Sequence, residues 1–213
     1  MNTAIIDRLI EAADRHQAAD EYRYGTYEWS DGACAIGCAA HDLILSGDLP
    51  PDHDPSDHTA LANVTGIPEW ALWLLDELFE QMPEGHTLWP GEFLRAARDC
   101  RDWDRAKASF LVRLLERIEP DDPTGSVAPV LALWRRVIDG ESIQSLRNEF
   151  VAVEVAAWAA AEAAEAAWVA AEPAAQAAWV AAAAARAAAK AAANAAAEHV
   201  AQRNDLLEAM RGN

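Results

Sequence analysis

The chain is short of lysine. Of its 17 basic residues only Lys107 and Lys190 are lysine, set against 35 acidic residues for a net charge of -18. A protein that reads a nucleic-acid backbone needs a basic face to displace counterions, which this balance excludes. Docking on anionic lipid is excluded by the same deficit. Cysteine is scarce and odd in number, three in 213 residues, so the sequence encodes no disulfide scaffold. No uncharged run reaches the ~20 apolar residues that span a bilayer. The alanine stretches near the C-terminus are broken by Glu162, Glu165, Glu172, Arg186 and Lys190. Residues Met1 to Arg15 include Asp7, Arg8, Glu11 and Asp14, which leaves no signal-peptide core. A P-loop, a dinucleotide glycine fingerprint and a G-x-S-x-G elbow are all absent. These absences predict a cytoplasmic protein with reduced thiols. They also predict no membrane association, no direct nucleic-acid binding and no cofactor.

What is present divides near Gly140. Residues 1–140 hold 26 acidic and 12 basic groups, while 141–213 hold 9 and 5. The front part reads as a run of short helices. Thr3 can cap a helix carrying Ile5, Ile6, Leu9 and Ile10. A tyrosine-rich stretch follows, a small hairpin or, by preference, an extended loop, and Ser30 or Asp31 is placed to cap the next helix, which ends near Ser46-Gly47. Residues 47–57 carry Pro50, Pro51 and Pro55 among aspartates and form a loop. Asp57 can open a short helix that ends at Thr65-Gly66. Pro68 sits where a first-turn proline is tolerated, because that backbone nitrogen has no helical partner. The helix it opens presents Trp70, Trp73, Leu74, Leu78 and Met82, and Pro83 and Gly85 stop it. Pro90 opens another helix, a further one covers about 103–118, and the last front helix carries Val130, Leu133, Trp134 and Val137. No segment alternates with period two. The predicted fold is all-α: an acidic helical domain over 1–140 and an alanine-rich helical tail over 141–213.

The tail is the most unusual segment, with 30 alanines among the 46 residues 152–197. Alanine propensity alone favours helix here. Trp158, Trp168 and Trp179 recur ten and eleven residues apart. With Trp158 at zero, the other two fall at about 280° and 300° on a helical wheel. The valines and charged residues share that arc, and the opposite side is alanine only. The tryptophan face can pack on the front domain or be kept for a partner. The bare alanine face is compatible with a homodimer. Pro173 costs ~3 kcal/mol inside a helix and marks either a kink or a hairpin turn.

Two clusters carry residues suited to chemistry. In Cys34-Ala35-Ile36-Gly37-Cys38-Ala39-Ala40-His41, helical spacing puts Cys34, Cys38 and His41 on one face. Seven residues rise ~10 Å, so all three cannot share one ion. Cys38 and His41, completed from elsewhere by His58 or Cys100, are the candidate zinc ligands. Cys34 in a first helical turn is the candidate nucleophile, since a helix terminus lowers a thiol pKa. The simpler reading makes both cysteines small buried hydrophobes, reduced and not bonded to each other. The second cluster, Asp52-His53-Asp54-Pro55-Ser56-Asp57-His58, lacks the glycine and the distal glutamate of a calcium loop and reads as a solvated loop.

Taken together, the Cys34-Ala-Ile-Gly-Cys38 box, His58, Gly66-Ile67-Pro68-Glu69-Trp70, Leu75-Asp76-Glu77-Leu78-Phe79-Glu80, Met82-Pro83, Trp89-Pro90 and Phe93-Leu94 resemble a family of uncharacterised bacterial and phage proteins. The likeness covers about residues 22–115. It implies an alanine-rich, aromatic-dotted tail and brings no activity with it. Relative to that pattern the loop at 47–57 looks inserted. The function expected from the sequence is that of an acidic, non-enzymatic interaction protein. It would bind a partner protein with a basic surface, as a phage-type inhibitor of a host nucleic-acid-binding or defence protein, or a DNA mimic, does. The acidic groups Asp52, Asp54 and Asp57 would steer that partner, with Tyr22, Tyr24, Tyr27, Trp158, Trp168 and Trp179 as aromatic anchors. The alternative is a thiol- or zinc-dependent small enzyme or metal protein centred on Cys34, Cys38 and His41.

Overall fold

Apolar residues at helical spacing build every regular element of the described chain. A computed structural model describes residues 1–81, 87–122, 125–169 and 201–212, with the backbone alone over 160–169. The helices are α1 (Thr3–Ala18), α2 (Ala35–Leu45), α3 (His58–Thr65), α4 (Glu69–Gln81), α5 (Trp89–Asp99), α6 (Trp103–Ile118), α7 (Val127–Ile138) and α8 (Ile143–Val169). A single 3-10 turn, Glu119–Asp121, follows α6. Residues 201–211 are also helical. Among the described residues there is no strand, only an isolated bridge between Tyr22 and Ala33. The fold is all-α, as the missing period-two alternation predicts.

The chain forms two units, Met1–Trp103 with His199–Asn213, and Asp104–Glu198. This division falls at the start of α6 rather than at Gly140, because α6 and α7 share their apolar residues with α8. Pro173 and the choice between kink and hairpin lie outside the described residues, as does Trp179.

In the first unit α1 buries Ile5, Ile6, Leu9, Ala12, Ala13 and His16, a single stripe along the helix. That stripe packs on α2, α3 and α5, and α4 closes the other side against α2, α3 and α5. The fully buried Phe79, Trp89 and Phe93 form the aromatic part of this core. Trp89 keeps its indole N–H satisfied by donating to the Leu75 carbonyl at 3.2 Å. Leu206 and Met210, from the helical segment 201–211, are completely buried as well.

Three local expectations need correction. The cap of α1 is Asn2, whose side chain accepts from the Ile5 N–H, so Thr3 is already helical. The cap of α2 is Cys34, not Ser30 or Asp31, because backbone bonds hold the chain extended up to that residue. The Ala33 N–H donates to the Glu21 carbonyl at 3.1 Å and the Cys34 N–H to the Thr26 carbonyl at 2.7 Å. In α4 the buried face is Ala71, Leu72, Leu75, Asp76, Leu78 and Phe79, while Trp73 is exposed. Apolar residues lie on several sides of this helix, and Asp76 is drawn inward by polar partners from elsewhere in the chain. Asp57 does cap α3, and Gly66 ends it in the left-handed region.

In the second unit Ala108, Val137 and Leu146 form a small core with Trp134, Ile138, Ile143 and Phe150 packed around it. Trp134 and Phe150 meet at 4.8 Å between ring centroids, which ties α7 to α8. Arg136 reinforces the pair by reaching both Glu141 and Glu149. Ser142 caps α8 by accepting the Ser145 N–H at 3.1 Å.

Candidate functional site

The segment between α1 and α2 folds as a loop over the N-terminus of α2. Two glycines make this close approach feasible. A Cβ on Gly37 would lie 2.4 Å from the Tyr27 carbonyl oxygen, and one on Gly32, at φ +142°, would lie 1.9 Å from the Glu21 carbonyl oxygen. Gly37 therefore gives the Cys-Ala-Ile-Gly-Cys box a physical meaning: it lets the tyrosine loop lie flat on the helix start. Two polar centres result, one on each side of the box.

The first centre gathers Cys34 from the cap of α2, His58 from the start of α3, and Asp76 and Glu80 from one face of α4. Ligand atoms of Cys34, Asp76 and Glu80 all lie within 4.8 Å of one another. The loop supplies the surrounding hydrogen bonds. The Tyr27 hydroxyl donates to Asp76 Oδ2 at 2.5 Å, and the Gly25 N–H donates to Glu80 Oε2 at 2.7 Å. His58 lies on Trp73, ring on ring at 3.8 Å. Its Nδ1 faces the Ser56 carbonyl oxygen at 2.8 Å and its Nε2 approaches Asp76 Oδ2 at 3.3 Å. His58 and Asp76 are 2 % and 3 % exposed, yet His58 Nε2 and Asp76 Oδ1 have no hydrogen-bond partner. Burying polar atoms unpaired carries a desolvation penalty, so this arrangement invites a further group.

Cys34 is fully buried, and its Sγ accepts the Gly37 N–H at 3.4 Å. Burial pushes its thiol up to about 12; the Gly37 N–H opposes this, and the neighbouring Asp76 and Glu80 add to it. The activated, low-pKa nucleophile expected at a helix terminus is thus corrected. The terminus is present, but desolvation and two carboxylates outweigh it. Burial likewise raises Glu80 and Tyr27, the latter helped by its bond to Asp76.

The second centre is built on His16 of α1. Its Nδ1 lies 2.7 Å from Glu21 Oε2 and its Nε2 lies 2.5 Å from Asp42 Oδ2. Trp29 covers this group and stacks on His41 at 4.1 Å. Burial alone would lower the His16 pKa, but the hydrogen bonds to Asp42 and Glu21 raise it overall. Cys38 points to this side, donating to the Ala33 carbonyl at 3.3 Å, and burial pushes it up to about 12. A partly open cavity of about 20 Å³ lined in part by His16, Tyr22, Cys38 and Asp42 is room for a single water.

The predicted ligand trio Cys38, His41 and His58 does not converge. Among the described residues the grouping with metal-ligand spacing is Cys34, Asp76 and Glu80. The one-face expectation for Cys34, Cys38 and His41 fails because Cys34 is a non-helical cap residue, so its side chain leaves the helix register. All three cysteines are free and buried, including Cys100.

Of the predicted anchors, Tyr22 is corrected. It is 7 % exposed, wedged between His16 and Phe79, and is core rather than surface. Tyr27 is committed to Asp76, and Tyr24 lies half-open on Phe79 at 5.0 Å. Asp52, Asp54 and Asp57 are exposed. Asp54 accepts from both the N–H and the hydroxyl of Ser56, which holds its carboxyl below the usual range, and Asp57 caps α3. Trp158 is 67 % exposed on α8, in line with Val155 and Val151. Trp168 lies on α8 where the backbone alone is described. Sequence reasoning missed Asp76, Glu80 and His16. The one available signal was an aspartate standing in the apolar run Leu72–Phe79.

No family model, no curated protein and no solved structure matches this chain.

Proposed function

We propose that this protein acts by binding a partner protein that presents a basic surface. The observation that carries the reading is the stripe Val151, Val155 and Trp158, which are 50 %, 63 % and 67 % exposed. On a helical wheel these three positions span about 60°, so they form one narrow apolar ridge with the exposed Glu154 beside it. Tryptophan is among the residues that dominate binding hot spots, and the two valines extend the apolar surface beside it. The net charge of -18 supplies the complementary field. Much of the positive charge in the first unit is spent internally: Arg8, Arg15, Arg95 and Arg98 pair with Asp48, Asp42, Asp14 and Asp7. Such a field speeds encounter with a cationic partner and weakens as salt screens it.

The test measures association and dissociation of a partner recovered from the source or host cell. Changing Asp52, Asp54 and Asp57 to Asn keeps the turn and cap acceptors while removing three charges. This variant should associate more slowly at low ionic strength and like wild type at high. Trp158→Ala should instead speed dissociation by tenfold or more, roughly the effect of losing a hot-spot residue. Wild-type rates in both variants overturn the reading.

A further inference from the structure

We propose that Cys34, Asp76 and Glu80 form a zinc-class metal site that ties the start of α2 to α4 beneath the tyrosine loop. The starting point is an imbalance. A thiol and two carboxyl groups have been folded to within 4.8 Å of one another, one of them fully buried. A dication bound between them would offset the crowding of three acidic groups and take the sulfur as thiolate, since a coordinated thiol is deprotonated outright. With zinc–sulfur and zinc–oxygen bonds of ~2.3 and ~2.0 Å, tetrahedral donors stand about 3.5 Å apart. The ligand atoms of the three groups lie within 4.8 Å of one another, so binding would draw them closer.

The second, independent observation is Asp76 itself. It is 3 % exposed, its Oδ2 faces Tyr27 and His58, and its Oδ1 is buried with no partner. One oxygen is thus held in place and the other is left for a ligand. This is how metal carboxylates are oriented: an outer hydrogen bond fixes the group and the free oxygen takes the ion. Glu80 is held in the same manner by the Gly25 N–H at 2.7 Å. Cys34 is held by its place as the helix cap. The loop therefore supplies an outer layer for both carboxylates, which a merely tolerated acidic cluster does not need.

The donor set chooses the ion. A thiolate excludes magnesium and calcium, which take oxygen donors, and suits a borderline-soft ion such as zinc. Three protein donors leave one tetrahedral position for water. His58, its Nδ1 turned to the Ser56 carbonyl, lies beside the site with its Nε2 3.3 Å from Asp76 Oδ2 and not hydrogen-bonded to it.

The test uses the full chain, stripped with a chelator, reduced, and titrated with Co²⁺ as a spectroscopic stand-in for zinc. The expected result is one Co²⁺ per chain with a thiolate-to-cobalt charge-transfer band, abolished by excess zinc. The band should persist in Cys38→Ser and Cys100→Ser and vanish in Cys34→Ser. Tyr27→Phe should keep the band but weaken affinity by roughly 10- to 100-fold, the usual effect of losing an outer-layer hydrogen bond. A folded wild-type protein without the band, or a band that survives Cys34→Ser or disappears in Cys38→Ser, overturns the proposal. If Cys34→Ser fails to fold, the wild-type titration and the loss of the band in Glu80→Gln decide. Partner binding through Trp158 is measured separately and does not depend on this outcome.

Discussion

His16 and Asp42 meet at 2.5 Å, Nε2 to Oδ2, while the other nitrogen of the same ring lies 2.7 Å from Glu21. A neutral imidazole has one N–H and cannot donate to both carboxylates; only the imidazolium does. The folded pKa is accordingly raised above 6.5, since the bonds to Asp42 and Glu21 outweigh burial. A raised pKa contributes stability that is fully present below ~6.5 and is lost as pH rises through the folded value. Wild type should therefore lose more stability than His16→Gln between about pH 6 and pH 8.5. Urea midpoints at the two pH values check this, and parallel losses in the two proteins would refute it.

Gly37→Ala places a methyl group 2.4 Å from the Tyr27 carbonyl oxygen and 2.8 Å from the Ala33 Cβ. The Tyr27 backbone on one side and the Ala33 methyl on the other leave it no room. Overpacking of this kind costs about 1–3 kcal/mol. Denaturant unfolding should show that loss.

Cys34 and Cys38 are pushed up to about 12, chiefly by burial. An ordinary thiol of ~8.5 carries on the order of a thousandfold more thiolate at neutral pH. Alkylation of the metal-free native protein should leave both cysteines largely unmodified under conditions that label them rapidly in denaturant. Peptide mass mapping reads the result site by site, and quick native labelling of either thiol would contradict the burial argument.

Leu206 and Met210 are 0 % exposed. Replacing either by alanine removes buried methylene groups and leaves a cavity, with an expected loss of about 2–5 kcal/mol. The exposed Val155 of α8 provides the contrast, because its truncation should change stability by less than about 0.5 kcal/mol. Thermal or denaturant unfolding of the three variants side by side checks both statements.

Where local chemistry decides, the chain is legible. Asp57 and Gly66 bracket α3, and α6 runs over Trp103–Ile118 as its spacing predicts, though of Phe110, Leu111, Leu114 and Ile118 only Phe110 is buried. Caps and apolar periods act within a few residues and leave their mark in the sequence. The inward face of α4 is not legible in the same way. Asp76 is buried because Tyr27, 49 residues earlier, donates to it. A pattern argument that reads aspartate as solvent-facing has no access to that bond. The same holds for Cys34, whose role as a cap depends on the backbone bonds that Cys34 and Ala33 donate to the Thr26 and Glu21 carbonyls. The candidate site is therefore half-visible: the cysteine box announces itself, but its partners on α4 do not.

The chain leaves the first unit at Trp103 and rejoins it at His199. On a ribosome this becomes a matter of timing. Leu206 is synthesised about a hundred residues after Trp103, and at ~5–20 residues per second that is a wait of roughly 5–20 s. During the wait the helices of residues 1–103 exist without the two large side chains that complete their burial. Apolar residues made in the meantime, such as Val137 and Leu146, are buried in the second unit's own core. Burial in the first unit is thus completed only after the chain of the second unit has been made.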